Sequence, residues 1–161
     1  MALFGACARL ILLQAVSFLL LSALPLYSQS RNEDQAAEAS FIGLTLPELF
    51  SRLGPPKSVH AVRGIEEWQD DVLFSYDRGD FYILKDRVWQ AVFKSAMGIK
   101  AGDNAASVSL TLNSLPSIRP AESRQNAAFF FLDGKSWPMM LRCDFDREGK
   151  LTVIFIYRSD L

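Results

Sequence analysis

The chain has 161 residues, half of them apolar, with 17 basic side chains, 18 acidic ones and a single histidine. Arg9 is the one basic residue in the first 30, which hold no acid, so residues 31–161 carry 16 basic against 18 acidic groups, a net charge near −2. A near-neutral chain without a basic run has no electrostatic footprint for nucleic acid or anionic lipid, and neither is expected as a partner.

Residues 1–30 read as a cleavable secretory signal. Arg9 supplies the positive start, Leu10 to Leu26 is apolar apart from Gln14, Ser17 and Ser22, and Ser28-Gln29-Ser30 places small residues at the cleavage site. Cleavage is expected after Ser30, with Ser28 as the alternative. The run is shorter and more polar than the roughly 20 apolar residues of a membrane span. Cys7 precedes that run, whereas the anchoring cysteine of a lipoprotein follows it. The expectation is a periplasmic or secreted protein with no stable membrane anchor after cleavage.

The mature part is long enough for one domain or two small repeats sharing a core. It keeps one cysteine, Cys143, so no internal disulfide can form. The strict alternation Leu141-Arg142-Cys143-Asp144-Phe145 points that thiol to the same side as Leu141 and Phe145, as a small core residue. Residues 31–42 read as a flexible N-terminal arm.

Thr45-Leu46-Pro47-Glu48 opens a helix: Thr45 caps, Pro47 suits the first turn and Glu48 completes a capping box. Leu46, Leu49, Phe50 and Leu53 then share one face before Gly54-Pro55-Pro56 ends the element. After a less regular stretch, strands are expected over Val72–Tyr76, Phe81–Leu84 and Arg87–Phe93, joined by short polar turns. Residues 98–161 suggest the same order, although the helix over 103–115 is also compatible with a strand, because Val108, Leu110 and Leu112 alternate. Further strands are expected over Ala127–Leu132, Trp137–Phe145 and Leu151–Arg158. The expected fold is α+β: two tandem helix-plus-antiparallel-sheet repeats, over 43–97 and 98–161, forming a two-layer sandwich.

Gly43-Leu44-Thr45, Glu48-Leu49, Leu53-Gly54-Pro55 and the strand-turn-strand from Phe81 to Phe93 resemble the small exported module of the SmpA/OmlA (BamE) lipoproteins. Two copies in tandem also resemble the layout of the β-lactamase inhibitory proteins. The resemblance implies a non-enzymatic, protein-binding module acting outside the cytoplasmic membrane. The lipid-anchoring cysteine of the assembly lipoproteins is missing here, and the shared residues are structural, so no partner-contacting residue carries over.

The candidates for chemistry are thin, and neither a catalytic nor a metal site is expected. His60 is a lone histidine with no Gly-x-Ser-x-Gly elbow and no paired metal-ligand spacing. Asp144-x-Asp146-x-Glu148-Gly149 imitates the start of a calcium loop, but Phe155 stands where the bidentate glutamate belongs and the flanks read as strands. Glu66, Glu67, Asp70 and Asp71 surround Trp68 in what reads as a solvated acidic loop. No cofactor is expected.

The sharper clue is a surplus of apolar strand residues. If Phe129, Phe131, Leu141, Cys143, Phe145, Leu151, Val153, Phe155 and Tyr157 line one side, the other still carries Phe130, Leu132, Met140, Ile154 and Ile156. One helix layer covers one face, so the second is either sealed by the other repeat or the N-terminal arm or left exposed as a binding surface. The expected partner-binding residues are therefore Trp68, Trp89, Phe130, Trp137, Met140, Ile154 and Ile156, with Met139 beside them. The expected partner is another envelope or extracellular protein, engaged in envelope assembly or inhibition. The alternative is carriage of a small apolar ligand or lipid between helix layer and sheet.

Overall fold

The computed structural model describes residues 37–64 and 70–161. The expected leader with Ser28 and Ser30, residues 31–36 of the expected arm, and residues 65–69 with Glu66, Glu67 and Trp68 lie outside the described residues. Helix α1 spans Leu46–Leu53, and its capping is the one expected: the Glu48 carboxylate accepts from the Thr45 backbone N–H and from its hydroxyl, both at 2.8 Å. Those bonds hold the Glu48 carboxyl below its ordinary range. Helix α2 spans Ala105–Asn113. Its cap is Asn104, whose side chain accepts from the Ser107 N–H at 2.8 Å, while the neighbouring Asp103 carboxylate accepts from the Lys100 N–H at 2.9 Å.

The described residues form ten strands: β1 (Ser58–Val62), β2 (Asp71–Ser75), β3 (Asp80–Leu84), β4 (Arg87–Phe93), β5 (Ser95–Ala96), β6 (Ile99–Lys100), β7 (Ile118–Arg124), β8 (Ala127–Leu132), β9 (Met139–Phe145) and β10 (Leu151–Arg158). Strands β5 and β6 form a small hairpin. The other eight form one antiparallel sheet in the order β1-β2-β3-β4-β10-β9-β8-β7. This overturns the expected two-layer sandwich of two tandem helix-plus-antiparallel-sheet repeats. Strand β4 hydrogen-bonds directly to β10, with Ala91 opposite Ile156 and Phe93 opposite Ile154, so the strands merge into one continuous sheet. Against it, the described residues set only two short helices and a 3-10 turn.

That turn, Ala39–Phe41, falls where a flexible arm was expected. Phe41 and Ile42 are instead buried, with the Phe41 ring 5.0 Å from that of Phe81. The chain is then tied to β4: the Gly43 N–H donates to the Val88 carbonyl at 2.7 Å, and the Val88 N–H donates to the Leu44 carbonyl at 2.9 Å.

The core lies between the helices and one face of the sheet, here the inner face. Leu49 of α1 and Val108 and Leu112 of α2 are fully buried in it, along with Phe81, Ala91, Leu141 and Ile156 of the sheet. Cys143 belongs to the same cluster, and burial, with Asp144 nearby, pushes its thiol up to about 12.

Candidate functional site: the open face of the sheet

Side chains alternate across a strand, so strand register decides what shares the second, outer face. One row crosses all eight strands there: His60, Leu73, Tyr82, Gln90, Tyr157, Met140, Phe131 and Arg119. The next row crosses Val92, Phe155, Arg142 and Phe129 in its middle. An antiparallel sheet with one solvated face ordinarily carries polar residues on it. This one carries a band of half-buried aromatic and apolar side chains, with Phe131 the most open at 43 %.

Arginines and aromatics interleave in the band. The Arg142 guanidinium lies 5.1 Å from the Phe155 ring centroid and 5.9 Å from that of Phe129, while making two bonds to the Asp144 carboxylate at 2.6 and 2.7 Å. Arg124 approaches Phe129 from beyond, at 5.3 Å, and Arg119 lies 5.7 Å from the Phe131 ring. Planar guanidinium groups held in this way keep large rings in fixed orientations on an open surface.

Toward β1 the chemistry changes. A bulge in the β3–β4 pairing sets Trp89 beside Tyr82, with ring centroids 6.4 Å apart, and the Trp89 indole N–H donates to the Asp71 carboxylate at 3.1 Å. Partial burial, then Asp70, raises the Asp71 carboxyl, while the Trp89 bond acts against both. Burial, then Asp80 and Asp71, raises the Tyr82 phenol. A shallow groove runs down the middle of the face, lined by Trp89, Met140, Arg142, Phe155 and Tyr157, with Leu161 at its rim.

The expected binding residues separate into three groups. Trp89 and Met140 are on the outer face. Phe130, Ile154 and Ile156 point the other way and are 3 %, 0 % and 0 % exposed, so they belong to the core beneath the helices, and Met139 is buried with them. Trp137 sits at the end of the sheet, half-buried against the core, its ring between Lys135 at 5.9 Å and Arg158 at 5.2 Å. Its indole nitrogen is buried without a hydrogen-bond partner among the described residues.

Phe129, Phe131, Arg142, Phe155 and Tyr157, expected on the covered side or not singled out, line the open one. For Phe155 and Tyr157 the cause is a register shift in the β9–β10 pairing between Leu151 and Val153, while Phe129 and Phe131 share the side of Arg142 and Met140 through the unbroken β8–β9 register. The shift places Leu151 on the same side as Ile154 and Ile156, and it breaks the apparent alternation of Leu151 with Val153, Phe155 and Tyr157. The readable signal was Arg142 and Asp144, whose charges mark the outer side of β9.

His60 Nε2, exposed on β1, lies 3.0 Å from the hydroxyl of the half-buried Ser58. A catalytic pair of this kind also needs a group orienting the second ring nitrogen, and among the described residues no carboxylate is bonded to it. Among the described residues, no group of three potential ligands is arranged to hold a metal ion, and no helix is long and apolar enough to cross a membrane.

No protein-family model matches the sequence, and no curated protein matches it. Among solved structures, the chain is similar to an extracellular protein containing an SCP domain from Bacillus anthracis str. Ames, at a TM-score of 0.48 and 12 % identity. The likeness covers 76 % of this chain and 45 % of that one, so the chain spans less than half of that protein's length.

Proposed function

We propose that this chain is an exported, non-enzymatic binding module that engages another envelope or extracellular protein through the open face of its sheet. The observation that carries this reading is the composition and arrangement of that face. Tyr82, Trp89, Phe129, Phe131, Met140, Phe155 and Tyr157 are gathered there by strand register, with Arg142 clamped among them. Aromatic residues, methionine and arginine are the types enriched at protein interfaces and at their energetic centres. Eight strands spaced about 4.8 Å apart, and about five residues of each, give a platform on the order of 600 Å², approaching the roughly 800 Å² per partner of a standard interface.

The leader with Arg9, the apolar run and Ser28-Gln29-Ser30 supports export. A protein-binding role outside the cytoplasmic membrane is also what the resemblance to the SmpA/OmlA modules and β-lactamase inhibitory proteins implies.

The test is site-specific photocross-linking in the cell that makes the protein. Benzoylphenylalanine placed at Phe155 or Met140 is expected to give one discrete protein adduct, and the same probe at Leu110, which is 76 % exposed on α2, to give none. Adducts of equal yield at all three positions, or none at the two face positions, would refute the proposal.

A further inference from the structure

The two edges of the eight-stranded sheet are built differently. Edge strand β7 is blunted three times over: Pro120 has no N–H, the register against β8 shifts between Pro120 and Glu122, and Arg119, Glu122 and Arg124 are charged. These are the devices by which sheets avoid pairing with other chains. Edge strand β1, Ser58-Val59-His60-Ala61-Val62, has none of them. It pairs with β2 in unbroken register and contains no proline and no acidic, lysine or arginine side chain.

An apolar patch adjoins the same edge. Val59 and Ala61 of β1 lie opposite Phe74 and Val72, and the Phe50 ring of α1 stands 5.7 Å from the Phe74 ring. Val59 is 52 % exposed, Phe50 40 % and Val72 39 %, which makes this corner the main gathering of large exposed apolar side chains among the described residues. A row of unpaired backbone donors and acceptors beside exposed apolar side chains is the surface that accepts an added strand.

We propose that β1 is a strand-addition site whose occupant is a second copy of this chain, the two β1 strands pairing antiparallel about a two-fold axis at His60. The sequence of the strand fits its own reverse. His60 meets His60, Val59 meets Ala61 of the other copy on the apolar side, and Ser58 meets Val62. Beyond the strand ends, Lys57 is paired with Asp77, and Arg63 lies 3.8 Å from Asp70. Each end of the junction therefore sets Lys57 of one copy opposite Arg63 of the other, each already neutralised by a carboxylate of its own chain, so the contact carries no net charge. The product is one continuous sheet of sixteen strands in which both outer faces point the same way. Whatever a single face binds, the dimer binds at two linked sites, which multiplies its hold on a partner or surface carrying two copies of the target.

The test uses cysteine pairs in the full chain carrying Cys7→Ser, where Cys143 is buried. Directly opposed residues of an antiparallel pair have Cα atoms about 4.5–5.5 Å apart, within the reach of a disulfide. The His60→Cys protein is therefore expected to form a covalent dimer under mild oxidation. The Ser58→Cys protein serves as control, since its two cysteines would lie about 13 Å apart along the strands. At least a tenfold difference in rate is expected. In sedimentation velocity up to millimolar protein, the parent chain is expected to dimerise with concentration, Val59→Lys to abolish the dimer, and Phe155→Ala to leave it intact. Equal cross-linking of His60→Cys and Ser58→Cys, or a parent chain that stays monomeric throughout, would overturn the proposal. Loss of the dimer on Phe155→Ala would also overturn it, by assigning self-association to the outer face. The photocross-linking at Phe155 and Met140 reads a separate surface, so the two proposals fail independently.

Discussion

Replacing Gly43 by alanine tests how the chain entering α1 is locked to the sheet. Gly43 has φ of +87°, a conformation in which an alanine side chain costs about 1–2 kcal/mol. A Cβ there would also lie 2.5 and 2.8 Å from two carbons of the Trp137 ring, well inside contact distance. The backbone cannot easily retreat, because the Gly43 N–H is bonded to Val88 and its carbonyl accepts from Arg87 at 2.9 Å. The ring is held between Lys135 and Arg158. Forcing such a contact adds about 1–3 kcal/mol.

Gly43→Ala is thus expected to destabilise the protein by about 3 kcal/mol in urea denaturation, with Tm lower by about 10 °C. The contributions separate in a double-mutant cycle. In a Trp137→Leu background the steric part should disappear, leaving only the backbone cost of about 1–2 kcal/mol. An equal loss in both backgrounds would refute the account, since Trp137 would then not be what alanine meets.

Two further outcomes are expected. Ile156→Ala, at a fully buried position of the central strand, should cost about 3–4 kcal/mol in the same denaturation assay, while its half-exposed neighbour Phe155→Ala should cost about 1 kcal/mol; the reverse order would mean that the faces of β10 are misassigned. Glu48 is held below its ordinary value of 4.5 by its bonds to Thr45, so its contribution to stability is present above that value and is lost as the pH falls through the lower folded value. Glu48→Gln should flatten this part of the acid dependence of the urea midpoint, and an unchanged profile would show that the capping carboxylate does not carry it.

Local signals in the sequence carried as far as single elements. The capping box of α1, the strands around Phe81 and Val88, and the alternation that buries Cys143 are all decided by neighbours within a few residues. The missed elements are those whose side chains do not record burial. Strand β1 is an edge whose central residues face solvent, and β7 contains Pro120 and four charged or hydroxylated residues, so neither shows an apolar period. The single continuous sheet rests on the pairing of β4 with β10, which no local pattern encodes.

The candidate site was half legible for the same reason. An excess of apolar side chains pointed to a second face, and Trp89 and Met140 are on it. Which other residues join them depends on register and on the shift after Leu151. That shift put Phe155 and Tyr157 outside and Ile154 and Ile156 inside.

The β4–β10 junction also has a kinetic side. It joins residues roughly sixty positions apart in the chain, so the middle of the sheet closes across a long loop, which is entropically costly and slows folding. During synthesis, β1 to β4 emerge with the pairing edge of β4 unfilled, and that edge is satisfied only when residues 154–157 arrive. Over that interval the edge of β4 is open to pairing with another chain.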